Sequence, residues 1–223
     1  MRNYIGTAGA AVLALMMGTA SYGATIDFTD SASFDSSGDV FTGTQAGGWS
    51  LEGFDQPPFL TAVPHDKCDD EAGGTLVCGN DGIGVGASDE VSATEKITKY
   101  LTITFDKMVK LTAFYTLDTY LVTGTDIGEK AYVSLGAGPG AVLARAFATK
   151  SNGAGYASAS GIGVNGQIFT FWTVHEANDE RALADFALAG IDVTPVPLPA
   201  GLLLMGTALG GLGFAARRRK AAV

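Results

Sequence analysis

The sequence predicts an all-β fold, an antiparallel β-sandwich of jelly-roll type, between two terminal segments that do not belong to the domain. Three observations lead to this fold class. Short runs of β-branched and aromatic residues alternate apolar and polar positions, turn-forming residues interrupt these runs, and none of them sustains a 3.6-residue period. Many short strands without intervening helices are typical of sandwiches and jelly rolls.

The individual strands follow from the alternating runs. Residues 97–105 and 109–117 both alternate, and only residues 106–108 separate them, so we expect a hairpin or a sequential strand pair there. The glycine-rich stretch 136–140 predicts a turn between two further strands, and the stretch 151–166 predicts a surface loop or a weakly paired strand. The predicted strands are residues 49–54, 97–105, 109–117, 131–135, 141–149, 168–174 and 186–193.

The first 24 residues have the order of a secretory signal peptide. A positive charge at Arg2 precedes the apolar stretch 5–17, and small residues follow it. Cleavage is expected after Ala20, Gly23 or Ala24. A retained membrane anchor is the alternative, but an anchor needs about 20 apolar residues and this run is shorter. We therefore expect export and removal of residues 1–24.

The C-terminal end predicts a transmembrane helix over about residues 200–216. This run holds 17 uncharged residues, the low end of the range of about 17 to 25 that crosses a bilayer. Arg217, Arg218, Arg219 and Lys220 follow it directly. Because basic residues stay on the cytoplasmic side, the rest of the chain is expected to face outward from the inner membrane.

A proline-rich motif precedes this run and consists of Val196, Pro197, Leu198, Pro199 and Ala200. Proline has a fixed φ and no N–H, so this motif is expected to stay extended, as a protease substrate must be. With the apolar stretch and the basic cluster behind it, the motif resembles the VPLPA variety of the PEP-CTERM sorting signals of Gram-negative bacteria.

The resemblance implies a fate for the chain. An exosortase, a protease of the inner membrane, would recognise residues 195–223, remove the helix and release the body to the cell surface or its exopolysaccharide. The membrane would then hold the chain only transiently. Residues 25–194 would form the exported β-sandwich.

Composition limits what this β-domain can bind. All 23 Asp and Glu residues lie within 25–194, with only nine of the 14 Lys and Arg residues, so the domain carries a charge of −14. A charge of this size repels nucleic-acid phosphates and attracts divalent cations. We expect no nucleic-acid partner.

The two cysteines, Cys68 and Cys78, predict a disulfide bond, because exported proteins meet an oxidising compartment. Free thiols or part of a metal site are the alternatives. A four-ligand zinc site is not favoured, since His65 and His175 are the only histidines.

Carboxylates surround the cysteines, and they are the hard oxygen ligands that Ca²⁺ prefers. The spacing matches no known calcium loop, and a solvated acidic loop is the favoured alternative. The candidate Ca²⁺ ligands are Asp69, Asp70, Asp81, Asp89 and Glu90.

The sequence favours a non-enzymatic role. It contains neither a G-x-S-x-G nucleophile motif nor an H-E-x-x-H zinc motif. A polysaccharide hydrolase with two carboxylates stays open as an alternative, because its catalytic residues need no fixed spacing. We therefore expect a structural or interaction protein of the cell surface or matrix, or alternatively a Ca²⁺- or carbohydrate-binding adhesin.

Aromatic side chains would carry any sugar binding. Trp172 occupies the opposite strand face from Phe169 and Phe171, so one of these faces is expected to be exposed. Core packing is nevertheless the favoured prediction for both tryptophans. The candidate stacking residues are Trp49, Trp172, Tyr115, Tyr120 and Tyr156.

Overall fold

The structure is a computed structural model that describes residues 23–54, 56–60, 67–86, 90–93, 99–121, 127–174 and 184–197, and the single residue Ala208. Most of the predicted signal peptide, the predicted transmembrane run apart from Ala208, and Asp89 lie outside these residues. So do Leu198, Pro199, Ala200, Arg217, Arg218, Arg219 and Lys220. In the part that is described, no helix is long and apolar enough to cross a membrane.

Twelve strands and one short helix make up the described fold. In chain order they are β1 (Ala24–Asp27), β2 (Asp35–Ser37), β3 (Val40–Gly43), β4 (Trp49–Gly53), β5 (Pro58–Leu60), α1 (Cys68–Ala72), β6 (Ile83–Val85), β7 (Val91–Ala93), β8 (Tyr100–Leu117), β9 (Lys130–Leu135), β10 (Val142–Phe147), β11 (Ala157–Trp172) and β12 (Ala184–Pro195). A single 3₁₀ turn covers Gln45–Gly47. All strand pairs are antiparallel, and the predicted all-β fold is confirmed.

The strands join into one large, curled sheet with β8 at its centre. On one edge, β8 pairs first with β4 and then with β12, while β11 pairs with its other edge. β9 and β10 continue the sheet beyond β11, and β3 and β2 continue it beyond β4. β1, β6 and β7 pair with β12, and β5 pairs with β6.

The predicted separation into two strands at residues 106–108, as a hairpin or a sequential pair, is wrong. β8 runs without interruption through these residues. The three residues are exposed at the point where β8 leaves β4 and meets β12. None of them has the positive φ of a tight hairpin turn; Asp118, just after the strand, has φ of 55°. The exposed triplet therefore marks a change of partner rather than a reversal of the chain.

The inner face of the curled sheet encloses the main hydrophobic core. Phe28, which follows β1, packs edge-on against Trp49 of β4 with ring centroids 5.5 Å apart. These strands pair with different parts of the sheet, so the contact joins two separate parts of the curled sheet. Full burial of one Phe or Leu side chain stabilises the folded state by about 1.5–3 kcal/mol. Buried alternate residues of the long strands complete the core, among them Leu101, Ile103, Phe105, Phe169, Phe171, Ile191 and Val193.

A second, smaller cluster lies on the outer face, the side of the sheet opposite the core. The helix α1 and the loop after it pack there over the C-terminal part of β8 and over β12. As a result, the end of β8 is buried on both faces. The members of this cluster are Cys68, Ala72, Leu76, Cys78, Ala113, Tyr115, Leu117, Ala154, Ala187 and Ala189.

Candidate functional site

The predicted disulfide bond is present and links Cys68 to Cys78. The two residues are ten positions apart in sequence, and their Cα atoms are 5.7 Å apart. Both cysteines are buried within the outer cluster. The bond therefore holds α1 and its following loop as a cover over the sheet, not as a projecting loop.

Glu71 of α1 ties this cover to a neighbouring loop. Its side chain is only 8% exposed; Lys150 Nζ lies 3.0 Å from Oε1, and the N–H of Tyr156 donates to Oε2 at 3.2 Å. Burial opposes ionisation, but these hydrogen bonds prevail and hold the pKa of Glu71 below its usual value. An ionised Glu71 thus fastens the loop that contains residues 150–156.

The candidate Ca²⁺ ligands are only partly covered by the structure. Asp69 and Asp70 are exposed on α1, while Asp81 and Glu90 are half-buried elsewhere. Among the described residues, no three His, Cys, Asp or Glu side chains group closely enough to hold a metal ion. Because Asp89 lies outside those residues, the Ca²⁺ site stays a prediction.

A pair of carboxyl groups, Glu129 and Asp185, was not singled out by the sequence. Burial, followed by the hydrogen bond between them, raises the pKa of Glu129, and burial raises that of Asp185. The N–H of Tyr120 donates to Glu129 Oε2 at 2.6 Å. The pair therefore holds a proton at a pH where isolated carboxyls are ionised.

Four aromatic side chains form a row across the outer face, here called the aromatic row: Phe54, Tyr100, Trp172 and Tyr132. Phe54, which follows β4, stacks on Tyr100 of β8 with centroids 4.4 Å apart and planes at 13°. Tyr132 of β9 stacks on Trp172 of β11 at 5.0 Å and 27°. Tyr100 and Trp172 are register partners. The row thus crosses four neighbouring strands.

The alternation of each strand places these rings outside. Leu101, Phe171 and Val133 point into the core, so the residues next to them emerge on the outer face. Phe54 is 49% exposed and the other three rings are half-buried. Burial raises the pKa of Tyr100, so this phenol is uncharged at neutral pH.

No family model, curated protein or solved structure matches this chain.

The turn between β9 and β10 lies beside the aromatic row and supports it. Thr170 Oγ1 donates to the carbonyl of Gly136 at 2.7 Å and accepts from the N–H of Gly138 at 2.9 Å. Ser134 Oγ donates to the carbonyl of Gly138 at 3.2 Å. Gly136 and Gly138 both have positive φ, which glycine adopts without strain. The turn buries Thr170 and Ser134 but leaves the aromatic row partly open.

The two ends of the aromatic row differ in charge. At the β10 end, Arg145 is the register partner of Tyr132, and its guanidinium carbon lies 4.5 Å from the centroid of the Phe147 ring. At the other end, a groove of about 410 Å³ lies beside Phe54, with acidic side chains in its wall. Its lining residues are Asp39, Val40, Glu52, Gly53, Gln56 and Pro57.

The other candidate stacking residues serve the structure. Trp49 is 3% exposed, as predicted, and its indole N–H donates to Gln45 Oε1 at 3.0 Å. Tyr115 and Tyr156 stack on each other beneath the disulfide cover, and Tyr120 donates to the carbonyl of Gly153. Only Trp172 belongs to the aromatic row, so its predicted core packing is wrong.

Sequence reasoning missed Phe54, Tyr100, Tyr132 and Arg145. A signal for three of them exists, since Tyr100, Tyr132 and Arg145 each occupy a position next to core-facing residues in an alternating run. The alternation does not show which strands are neighbours. Register alone brings these side chains into one row.

Proposed function

We propose that this chain is an exported, non-enzymatic surface protein whose β-domain binds polysaccharide through the aromatic row. The single observation that carries the proposal is the alignment of four rings across four strands of one face. The row is a partly open aromatic surface, since Phe54 is 49% exposed and the other three rings are half-buried, and such a surface on an exported protein favours a binding partner. The exopolysaccharide implied by the sorting resemblance is such a partner.

The spacing of the rings suits a chain of sugars. Pyranose rings have faces made of C–H groups, which pack against the faces of aromatic rings. Neighbouring strands are about 4.8 Å apart, so the four rings extend over about 14 Å, and one face of each ring is covered by its stacking partner. This length exceeds one sugar ring, and a polysaccharide laid across the strands would contact the whole row.

The folded sheet is consistent with the proposed processing. It begins with Ala24 and ends with Pro195, so it overlaps the predicted signal peptide and the predicted sorting segment by one residue each. The N–H of Val196 donates to the carbonyl of Met108 at 3.0 Å. The sorting motif thus starts directly at the sheet, and we propose that an exosortase cuts beyond this attached residue, after transient residence in the inner membrane.

The arrangement of the carboxyl pair supports a binding role over hydrolysis. Glycosidases hold their two carboxyl groups about 5 to 9.5 Å apart, which leaves room for the sugar and water. Glu129 and Asp185 instead share a hydrogen bond. We also propose that the domain is a jelly-roll-like sandwich, and the ring contact between Phe28 and Trp49 across the curled sheet supports this.

Affinity gel electrophoresis with a panel of neutral and acidic polysaccharides tests the proposed binding. Trp172→Ala and Tyr132→Ala should each weaken binding about tenfold, because one aromatic contact is worth up to about 1.5 kcal/mol. Phe59→Ala is the matched control, since Phe59 is 38% exposed on β5, outside the aromatic row. No retardation by any polymer, or equal losses for the control, would contradict the proposal.

A further inference from the structure

We infer that the ligand of the aromatic row is an acidic polysaccharide in which uronic acids are separated by neutral sugars, and that Arg145 binds a uronate carboxylate. This inference rests on the proposed function and specifies the chemistry of the ligand. It follows from the unequal charges at the two ends of the row.

Arg145 is placed to bind an anion next to the rings. It is exposed on the outer face of β10, directly opposite Tyr132 in the β9–β10 register. Its guanidinium packs over the ring of Phe147, which limits the positions that the side chain can take. A sugar stacked on Tyr132 would therefore have this guanidinium beside its substituents.

Among the described residues, no carboxylate forms an ion pair with Arg145. This is notable in a domain of charge −14, where acidic partners are abundant. The planar fork of a guanidinium matches a carboxylate with two parallel hydrogen bonds.

The opposite end of the row excludes negative charge. Phe54 adjoins the groove that Asp39 and Glu52 line, four strand spacings or about 19 Å from Arg145. A carboxylate there would be repelled, as would a densely charged polymer by the domain as a whole. The row therefore fits a chain whose acidic sugar lies at Arg145 and whose neutral sugars lie towards Phe54.

The test measures binding of the full-length protein, in mild detergent, to four polymers. Hyaluronan alternates a uronic acid with a neutral sugar, and carboxyl-reduced hyaluronan has lost the charge. Polygalacturonate is a dense carboxylate polymer, and dextran sulfate is a dense sulfate polymer. We expect hyaluronan to bind more tightly than the other three polymers.

Variants of Arg145 test whether this side chain causes the preference for hyaluronan. Arg145→Gln should weaken hyaluronan binding about tenfold, as expected for losing a hydrogen bond to a charged group, and leave carboxyl-reduced hyaluronan unaffected. Arg145→Lys should restore part of the affinity. Lys110→Gln is the matched control, because Lys110 is an exposed cation on β8 away from the row.

Distinct outcomes separate this inference from the proposed function. Equal binding of hyaluronan and its carboxyl-reduced form, strongest binding to dextran sulfate or polygalacturonate, or equal losses for Arg145→Gln and Lys110→Gln would overturn the inference. If Trp172→Ala still weakens binding, the proposed function survives alone. If no polymer binds and Trp172→Ala instead abolishes self-association, the row joins two copies and both proposals fail.

Discussion

The indole N–H of Trp172 has no hydrogen-bond acceptor in the described part of the protein. The nitrogen, Nε1, is buried. An unsatisfied buried donor costs about 1–3 kcal/mol, so this position carries a cost that phenylalanine would avoid. The larger aromatic face of tryptophan, stacked on Tyr132, is the property that a sugar-binding role would use.

Replacement of the two tryptophans by phenylalanine should therefore have different effects on stability. For Trp172→Phe, we expect the free energy of unfolding to change by less than about 1 kcal/mol. Removing the buried N–H that has no acceptor offsets the loss of buried apolar surface. Trp49→Phe should cost about 2 kcal/mol or more, since Trp49 is fully packed and hydrogen-bonded to Gln45. Urea unfolding measures both, and a larger loss for Trp172→Phe than for Trp49→Phe would contradict this account.

The carboxyl pair of Glu129 and Asp185 should make the stability of the protein depend on pH. Because the folded pKa values of Glu129 and Asp185 are raised, the folded state keeps a proton that the unfolded chain releases near pH 4.5. Stability from the pair is therefore complete below about pH 4.5 and is lost as pH rises through the folded pKa. Glu129→Gln keeps a hydrogen-bond donor towards Asp185 without titrating.

We expect the Glu129→Gln variant to gain stability relative to the wild type as pH rises from 5 to 8. Thermal unfolding at a series of pH values measures the difference. Glu52→Gln, which removes an exposed carboxyl, should show no such trend. A difference that does not change with pH would show that the pair is ionised in the folded protein.

At the scale of elements, α1 depends on its covalent and ionic attachments. It has only five residues, too few to be stable alone, and it is held by the Cys68–Cys78 bond and by Glu71. The sequence predicted the disulfide, because two cysteines in a chain that is expected to be exported leave few alternatives. It did not predict Glu71 as an anchor, because Lys150 and Tyr156 approach it only through tertiary packing.

Removal of the disulfide should destabilise the protein by about 3 kcal/mol, as expected for closing a loop of this size in the unfolded chain. The Cys68→Ala/Cys78→Ala double variant, compared with the oxidised protein in urea unfolding, measures this loss. Affinity for polysaccharide should stay unchanged under native conditions, because the aromatic row lies on other strands. A parallel loss of affinity would place the binding site at α1 instead.

Strand identity was more predictable than strand partnership. The stretches around β4, β9, β10 and β12 were found because side chains of a half-buried strand alternate. The continuity of β8 was not found, because exposed charged residues at a change of partner have the same composition as a turn. The aromatic row was missed for the same reason: Tyr100 and Trp172 are distant in sequence, and only the β8–β11 register makes them neighbours.

At the scale of the whole molecule, the two ends of the sheet lie together. Ala24 pairs with Val193, so the proposed signal-peptide junction and the sorting motif lie at the same end of the β1–β12 pair. The aromatic row lies elsewhere: Tyr100 is nine residues along β8 from Val109, the partner of Pro195. That separation is up to about 30 Å along the strand. Because β12 runs antiparallel to β8, its C-terminal end points towards the Tyr100 end of β8.

Intrinsic fluorescence tests the central claim, that the aromatic row binds polysaccharide, most directly. The chain has two tryptophans, of which Trp49 is buried in the core and Trp172 belongs to the row. We predict that the polysaccharide retarding the protein most in affinity electrophoresis changes the emission of the wild-type protein saturably and that this change disappears in Trp172→Phe. Emission that stays constant throughout the titration, or an equal change in the variant, would contradict the claim.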